Sequence, residues 1–144
     1  MHNYFYASGF LYHPKTQQIL LQQENATDND NTWSLFGGDN KGKEVFEETF
    51  LRVINTHLNL NLKPTAIFPI YNYLHKTTNK NTYLYYAKVT KLEKFTDKKR
   101  VFTWFTFKQV QKLGLSDQIK QDIIVGQRVI DSYMRKSMGL QTIG

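Results

Sequence analysis

At 144 residues the chain is long enough for one domain that buries roughly two-thirds of the surface its unfolded form exposes. Its 40% hydrophobic and 15% aromatic content, with 10 Phe and 9 Tyr, supports a packed core and excludes a disordered tail. A formal charge of +7 and a pI near 9.5 favour anionic partners (nucleotides, RNA, an acidic protein surface), and the lack of cysteine excludes thiolate catalysis, disulfides and zinc–thiolate centres. No basic stretch followed by an apolar run of signal-peptide length opens the chain, and nothing approaches a membrane span, so a soluble, cytoplasmic protein is expected.

Residues 4–12 are aromatic and extended, and Gly9 marks a bulge or the close approach of another backbone. His13-Pro14-Lys15-Thr16 is a turn, after which 17–23, with Ile19, Leu20 and Leu21, forms the second strand of a hairpin. Residues 24–32 are polar and turn-rich, a surface loop able to fold over a pocket. Asp28 and Asp30 in it lack the glycine and closing glutamate of a calcium loop, and the Asn25-Ala26-Thr27 glycosylation pattern is chance.

Trp33-Ser34-Leu35-Phe36-Gly37-Gly38 reads as a two-glycine turn, with Gly42 allowing a further bend before Glu44 opens a helix. From there Phe46, Phe50, Val53, Ile54 and Leu58 recur at helical steps. Residues 59–64 end the helix and turn the chain. Two strands follow at 65–75 and 82–90, the first carrying Pro69 at an edge or bulge. Tyr83, Tyr85 and Ala87 share one face of the second, where the rings either stack on a ligand base or pack across strands. Residues 91–100 hold Lys91, Lys94, Lys98, Lys99 and Arg100 against Glu93 and Asp97, a basic segment that either steers phosphates or is a solvated loop. A strand at 101–107 and a helical step at Lys108-Gln109-Val110 lead to Ser116 as N-cap of a last helix, 117–138, whose buried stripe is Ile119, Ile123, Val125, Ile130 and Tyr133/Met134.

Gly38, five residues, Glu44, seven residues, Arg52 resembles the first half of the Nudix box, Gly-x5-Glu-x7-Arg-Glu-U-x-Glu-Glu-x-Gly-U, where U is a bulky aliphatic. The Trp33-Ser34-Leu35-Phe36-Gly37-Gly38 stretch resembles the family's Trp-x-Leu-Pro-Gly-Gly lead-in, with Phe36 in place of proline. Ile54 and Leu60 keep the aliphatic positions, whereas Val53, Thr56 and His57 stand where the family has glutamates and Asn59 where it has glycine. The resemblance, spread over residues 4–138, implies a Nudix-fold α/β/α sandwich with a mixed sheet between helices, as a single domain over 1–144. It also implies hydrolysis of a nucleoside diphosphate linked to another group, with Mg²⁺ or Mn²⁺ held by the box glutamates.

Mg²⁺ wants oxygen ligands, usually carboxylates with water and substrate phosphate. On a helical wheel, Thr49, Val53, Thr56 and His57 share one flank, none is a carboxylate, and no Asp or Glu occurs from 49 through 92. Metal-dependent hydrolysis is therefore expected to be weak or lost while nucleotide-type binding is kept. His57 is read as a packed, hydrogen-bonded core histidine, and Glu44, Glu48 and Arg52 as an ion-pair ladder on a solvated helix face. By the resemblance, Glu44, Glu48 and Arg52 are the candidate catalytic residues, and Phe36, Gly37, Gly38 and Tyr85 the candidate substrate-binding ones. Glu48 and Asp97 are the metal ligands if a metal binds. Two rivals stay open: a non-catalytic RNA- or protein-binding module on this fold, and an active hydrolase that gathers Glu44, Glu47, Glu48 or Asp97 around the ion. The oligomeric state is open, a homodimer included.

Overall fold

The computed structural model describes residues 4–24 and 32–139. Strand β1 (Phe5–His13) is the axis of a six-stranded sheet, since it pairs with β5 (Asn81–Lys88) along one edge and with both β2 (Gln18–Glu24) and β3 (Phe36–Asp39) along the other. Beyond these lie β4 (Ile67–Leu74) and β6 (Arg100–Thr106), giving the order β4-β5-β1-β2-β6 with β3 also on β1. The β1–β5 pair is parallel and the others antiparallel, so the sheet is mixed. Helix α1 (Phe46–Leu58) covers one face and helix α3 (Asp117–Ser137) the other, with the four-residue α2 (Phe107–Val110) between β6 and α3. The expected mixed sheet between helices is the architecture that forms.

Alternation along β1 makes both faces. Ala7 and Leu11 point to α1, joining Leu20, Phe36, Phe50, Val53 and Ile54, while Phe10 and Tyr12 point to α3, joining Leu84, Tyr86, Ile123 and Ile130. A strand covered on both sides has no polar face to give up, which is why its sequence is apolar at nearly every position. Gly9 is the expected close approach: a Cβ there would run into the Tyr85 carbonyl and the Phe50 ring. Pro69 lies on the edge strand at a register shift against β5, also as expected. Ser116 caps α3, its Oγ accepting from the Ile119 amide at 3.3 Å.

Three local expectations change. Residues 36–39 form a strand rather than a glycine turn, and the bend comes later, at Gly42 with φ +55°. The helix starts at Phe46, which leaves Glu44 outside it and free to fold back on its own loop. His57 is exposed, not packed in the core; its Nδ1 is 2.7 Å from the Val53 carbonyl and its ring stands 6.4 Å from that of Phe36. Phe50, Val53, Ile54 and Leu58 take the sheet-facing stripe, and His57 falls just beyond its margin. Asn59 adopts the left-handed conformation at φ 52°, a helix-ending position that glycine, then asparagine, tolerates best. The polar segment 25–31, with Asp28 and Asp30, lies outside the described residues. Among the described residues no helix is long and apolar enough to cross a membrane.

Candidate functional site

The junction between β3 and α1 is held by one carboxylate. Glu44 takes the Arg52 Nε on Oε2 at 2.7 Å and Nη2 on Oε1 at 3.1 Å, while the Lys41 amide and the Thr49 hydroxyl donate to Oε1 at 2.7 and 3.1 Å. Arg52 Nη2 also donates to the Asp39 carbonyl at 2.8 Å, so the pair ties the end of β3, the loop and the helix together. The hydrogen bond from Arg52, ahead of those from Lys41 and Thr49, pulls the Glu44 carboxyl down to about 2. A lowered carboxyl stabilises the fold above its ordinary value of 4.5 and loses that contribution as pH falls toward 2. Glu44→Gln is therefore expected to cost about 2 kcal/mol at neutral pH and to flatten the acid limb of stability, read from urea melts between pH 2 and 7. Glu48 takes no part in this pair. Its Oε1 accepts from the Val45 amide at 3.0 Å, which caps the helix start.

The flank where the resemblance would seat a divalent ion does not fit one. Thr49 is fully buried and its hydroxyl is committed to Glu44 and the Val45 carbonyl. Val53 is buried against Gly38, where a Cβ would approach its Cγ2 to 2.8 Å. Thr56 and His57 are exposed, and the Nδ1 of His57 is tied to the helix backbone. Asp97 accepts from the Lys99 amide in its own loop at 3.3 Å. Among the described residues no three of His, Cys, Asp or Glu converge as a metal-holding group. A hard cation needs several oxygens at once, and this flank offers one free hydroxyl, on Thr56.

On the opposite face of the sheet, under the first turns of α3, lies a cleft of about 420 Å³. Tyr6 and Ser8 of β1 and Thr82 of β5 line its sheet side, Ser34, Leu35 and Asp39 one wall, and Tyr73 with the β4–β5 turn the other. The cleft exists because Ser8 and Thr82 are small where Phe10, Leu84 and Tyr86 further along the same strands fill the space. Gly37 shapes it indirectly: a Cβ there would strike the Tyr6 ring, so the glycine lets that ring lie against β3.

At its floor the Asp122 carboxylate is 3% exposed. It accepts from Tyr71 Oη at 2.6 Å, Gln118 Nε2 at 2.9 Å and Tyr73 Oη at 3.2 Å. Burial pushes the Asp122 carboxyl up, against the pull of these three hydrogen bonds, and the two tyrosine hydroxyls are raised as well, by burial first. At the mouth, Lys80 Nζ is 2.8 Å from Asp39 Oδ1. The His75 Nδ1 accepts from the Thr77 and Thr78 amides at 3.2 and 3.4 Å, which puts the proton of a neutral ring on Nε2.

The structure brings Glu44 and Arg52 together and leaves Glu48 and Asp97 apart from them. Phe36 is fully buried, stacked on Phe102 at 6.0 Å. Tyr85 is 4% exposed and lies under α1, stacked on Phe50 at 5.7 Å, so both rings serve the core on the face away from the cleft. Among the aromatic-strand alternatives, cross-strand and helix packing takes Tyr85. Sequence reasoning missed Asp122, Tyr71, Tyr73, Gln118, His75 and Lys80. One signal was available: Asp122 lies three residues after Ile119 and one before Ile123, which places a carboxylate on the apolar stripe of the last helix.

No family model matches the chain, and no curated protein matches it in sequence. Among solved structures it is similar to a mutT/nudix family protein from Listeria innocua, with TM-score 0.69 and 14% identity over 93% of this chain and 98% of that one. The NUDIX domain of Shewanella oneidensis NrtR, complexed with ADP ribose, superposes with TM-score 0.67 and 17% identity over 90% of each chain. A MutT/nudix family protein from Enterococcus faecalis gives TM-score 0.55 and 19% identity over 73% of this chain, which spans 44% of that longer one. These likenesses bear out the resemblance at the level of architecture: the chain has the Nudix fold.

Proposed function

We propose that this Nudix-fold chain holds a nucleotide-type ligand in the cleft beneath α3 and performs weak or no metal-dependent hydrolysis. The observation that carries the reading is the division between the two faces. The α1 flank presents Val53, Thr56 and His57 in place of carboxylates, while the opposite face keeps a cleft of about 420 Å³ with polar groups converging on its floor and mouth. That volume lies within the range of small-molecule sites, roughly 300–1,000 Å³. The cleft offers a buried acceptor in Asp122 and hydroxyls from Ser8, Thr82 and Tyr73 for a heterocycle and a sugar. The ADP ribose bound by the Shewanella NUDIX domain supports a ligand of this kind.

The test pairs turnover with binding. The protein is incubated with nucleoside diphosphate sugars, dinucleoside polyphosphates and oxidised nucleotides plus Mg²⁺ or Mn²⁺, and the same compounds are titrated calorimetrically. Saturable binding without metal-dependent turnover is the expected result. Metal-dependent turnover abolished by Glu48→Gln would overturn it in favour of an active hydrolase built on the remaining carboxylates. Introducing Val53→Glu, Thr56→Glu and His57→Glu together is expected to create Mn²⁺ binding that the parent chain lacks, because three carboxylates then share one helix flank.

A further inference from the structure

A bound phosphate carries charge that a divalent ion would ordinarily neutralise, and the α1 flank does not fit such an ion. We infer that the cleft supplies this charge itself: Lys80 and His75 at its mouth form a metal-independent seat for a ligand phosphate, and Asp39 holds Lys80 as an exchangeable counter-ion. The inference rests on the reading of the cleft as a nucleotide-type site.

Three observations carry it. Lys80 is the one Lys or Arg among the described residues lining the cleft. It is placed by backbone geometry, because the His75 amide donates to the Lys80 carbonyl at 2.9 Å and the Asn79 amide to the His75 carbonyl at 2.9 Å. The tight turn thus fixes His75 and Lys80 side by side at the rim. The imidazole is oriented in turn: with Nδ1 occupied by the Thr77 and Thr78 amides, Nε2–H is the donor left for the cleft.

The partner of Lys80 is easily displaced. Both side chains are well exposed, 41% for Lys80 and 59% for Asp39. Exposed pairs of this kind contribute on the order of 0–1 kcal/mol, against a phosphate that brings about twice the charge and three acceptor oxygens. The floor carboxylate, Asp122, already receives three hydrogen bonds, so Lys80 is the charge that meets an incoming anion. The net charge of +7 favours the approach of such a ligand.

Adenosine, guanosine, cytidine and uridine and their 5′-monophosphates are titrated calorimetrically at low salt in EDTA, then in Mg²⁺. Monophosphates are expected to bind at least about tenfold more tightly than their nucleosides, with no gain from Mg²⁺. Lys80→Met, at an exposed position, should take away most of a monophosphate's advantage over its nucleoside, the His75 Nε2–H keeping the remainder, and Lys80→Arg should retain it. Asp39→Asn should tighten monophosphates about threefold by removing the competing carboxylate, an effect of the size of one exposed pair. Weaker binding in Asp39→Asn, or a tenfold gain from Mg²⁺ in the parent chain, would overturn the seat. Nucleosides that bind as well as their monophosphates would overturn the seat and spare the cleft. If none of the eight compounds bound, the reading of the cleft would fall and the seat with it.

Discussion

Gly9→Ala is expected to remove about 3 kcal/mol of unfolding free energy, the upper end of what one extra buried methyl costs. Gly9 is paired on both sides, with Tyr85 on β5 and Phe36 on β3, and the Phe50 ring of α1 sits over it. A Cβ would meet the Tyr85 carbonyl, which belongs to a backbone held along the β1–β5 ladder from Phe5 to Tyr12. Relief requires β5 to move away from β1, and β1 has no room to retreat toward β3. Against a typical total of about 5–15 kcal/mol, the loss would show as a large drop in the urea midpoint at unchanged slope. Gly126→Ala is the control. Its Cβ would approach the Phe10 ring at 3.0 Å and Ile70 Cδ1 at 3.2 Å, both ends of side chains, and the helix gains about 1 kcal/mol from losing a glycine. If the two variants melted alike, backbone proximity at Gly9 would not be the cause.

The sheet-and-helix order was legible because each long element carries its own signature: a nearly unbroken aromatic and apolar run in 4–12, alternation in 82–90, and a repeat between three and four in the two long helices. The β3 strand was not. It is four residues long with two glycines, and its side-chain-free positions are there for what they touch, the Tyr6 ring and Val53, rather than for a turn. The N-terminal half of the Nudix-like pattern was informative for architecture, since Glu44 and Arg52 do join loop to helix. The cleft was hidden for a different reason. A register shift between Pro69 and Tyr71 changes the parity of β4, so that Tyr71 and Tyr73 point to the α3 face with Phe68. A simple alternation through Pro69 assigns those two tyrosines to the other side. Asp122 then meets them across roughly fifty residues of sequence, a pairing that only the packed fold makes.

Asp122→Ala is expected to cost about 2–3 kcal/mol and to abolish ligand binding in the cleft, because it leaves donors from Tyr71, Tyr73 and Gln118 without their acceptor. Restoring the balance should recover stability but not binding: with Asp122→Leu, Tyr71→Phe and Tyr73→Phe combined, polar groups on both sides of each tyrosine bond are gone and the loss should fall by more than half. Because Tyr73 also lines the cleft, the Tyr71→Phe, Tyr73→Phe pair with Asp122 intact is the reference: if it binds no better than the triple variant, the loss is not the carboxylate's. The pH dependence separates Asp122 from Glu44. Burial raises the Asp122 carboxyl above its ordinary 3.8, so the folded state holds a proton that the unfolded chain releases. Its stabilising effect is complete below 3.8 and is lost as pH rises through the raised value, the reverse of Glu44, whose contribution disappears as pH falls from 4.5 toward 2. Asp122→Asn should therefore remove a decline on the alkaline side of pH 4, and Glu44→Gln a decline on the acid side. Melts of the two variants across that range, each changing one limb and leaving the other, are the expected result; a single shared limb would mean that the two carboxylates are not in the environments described.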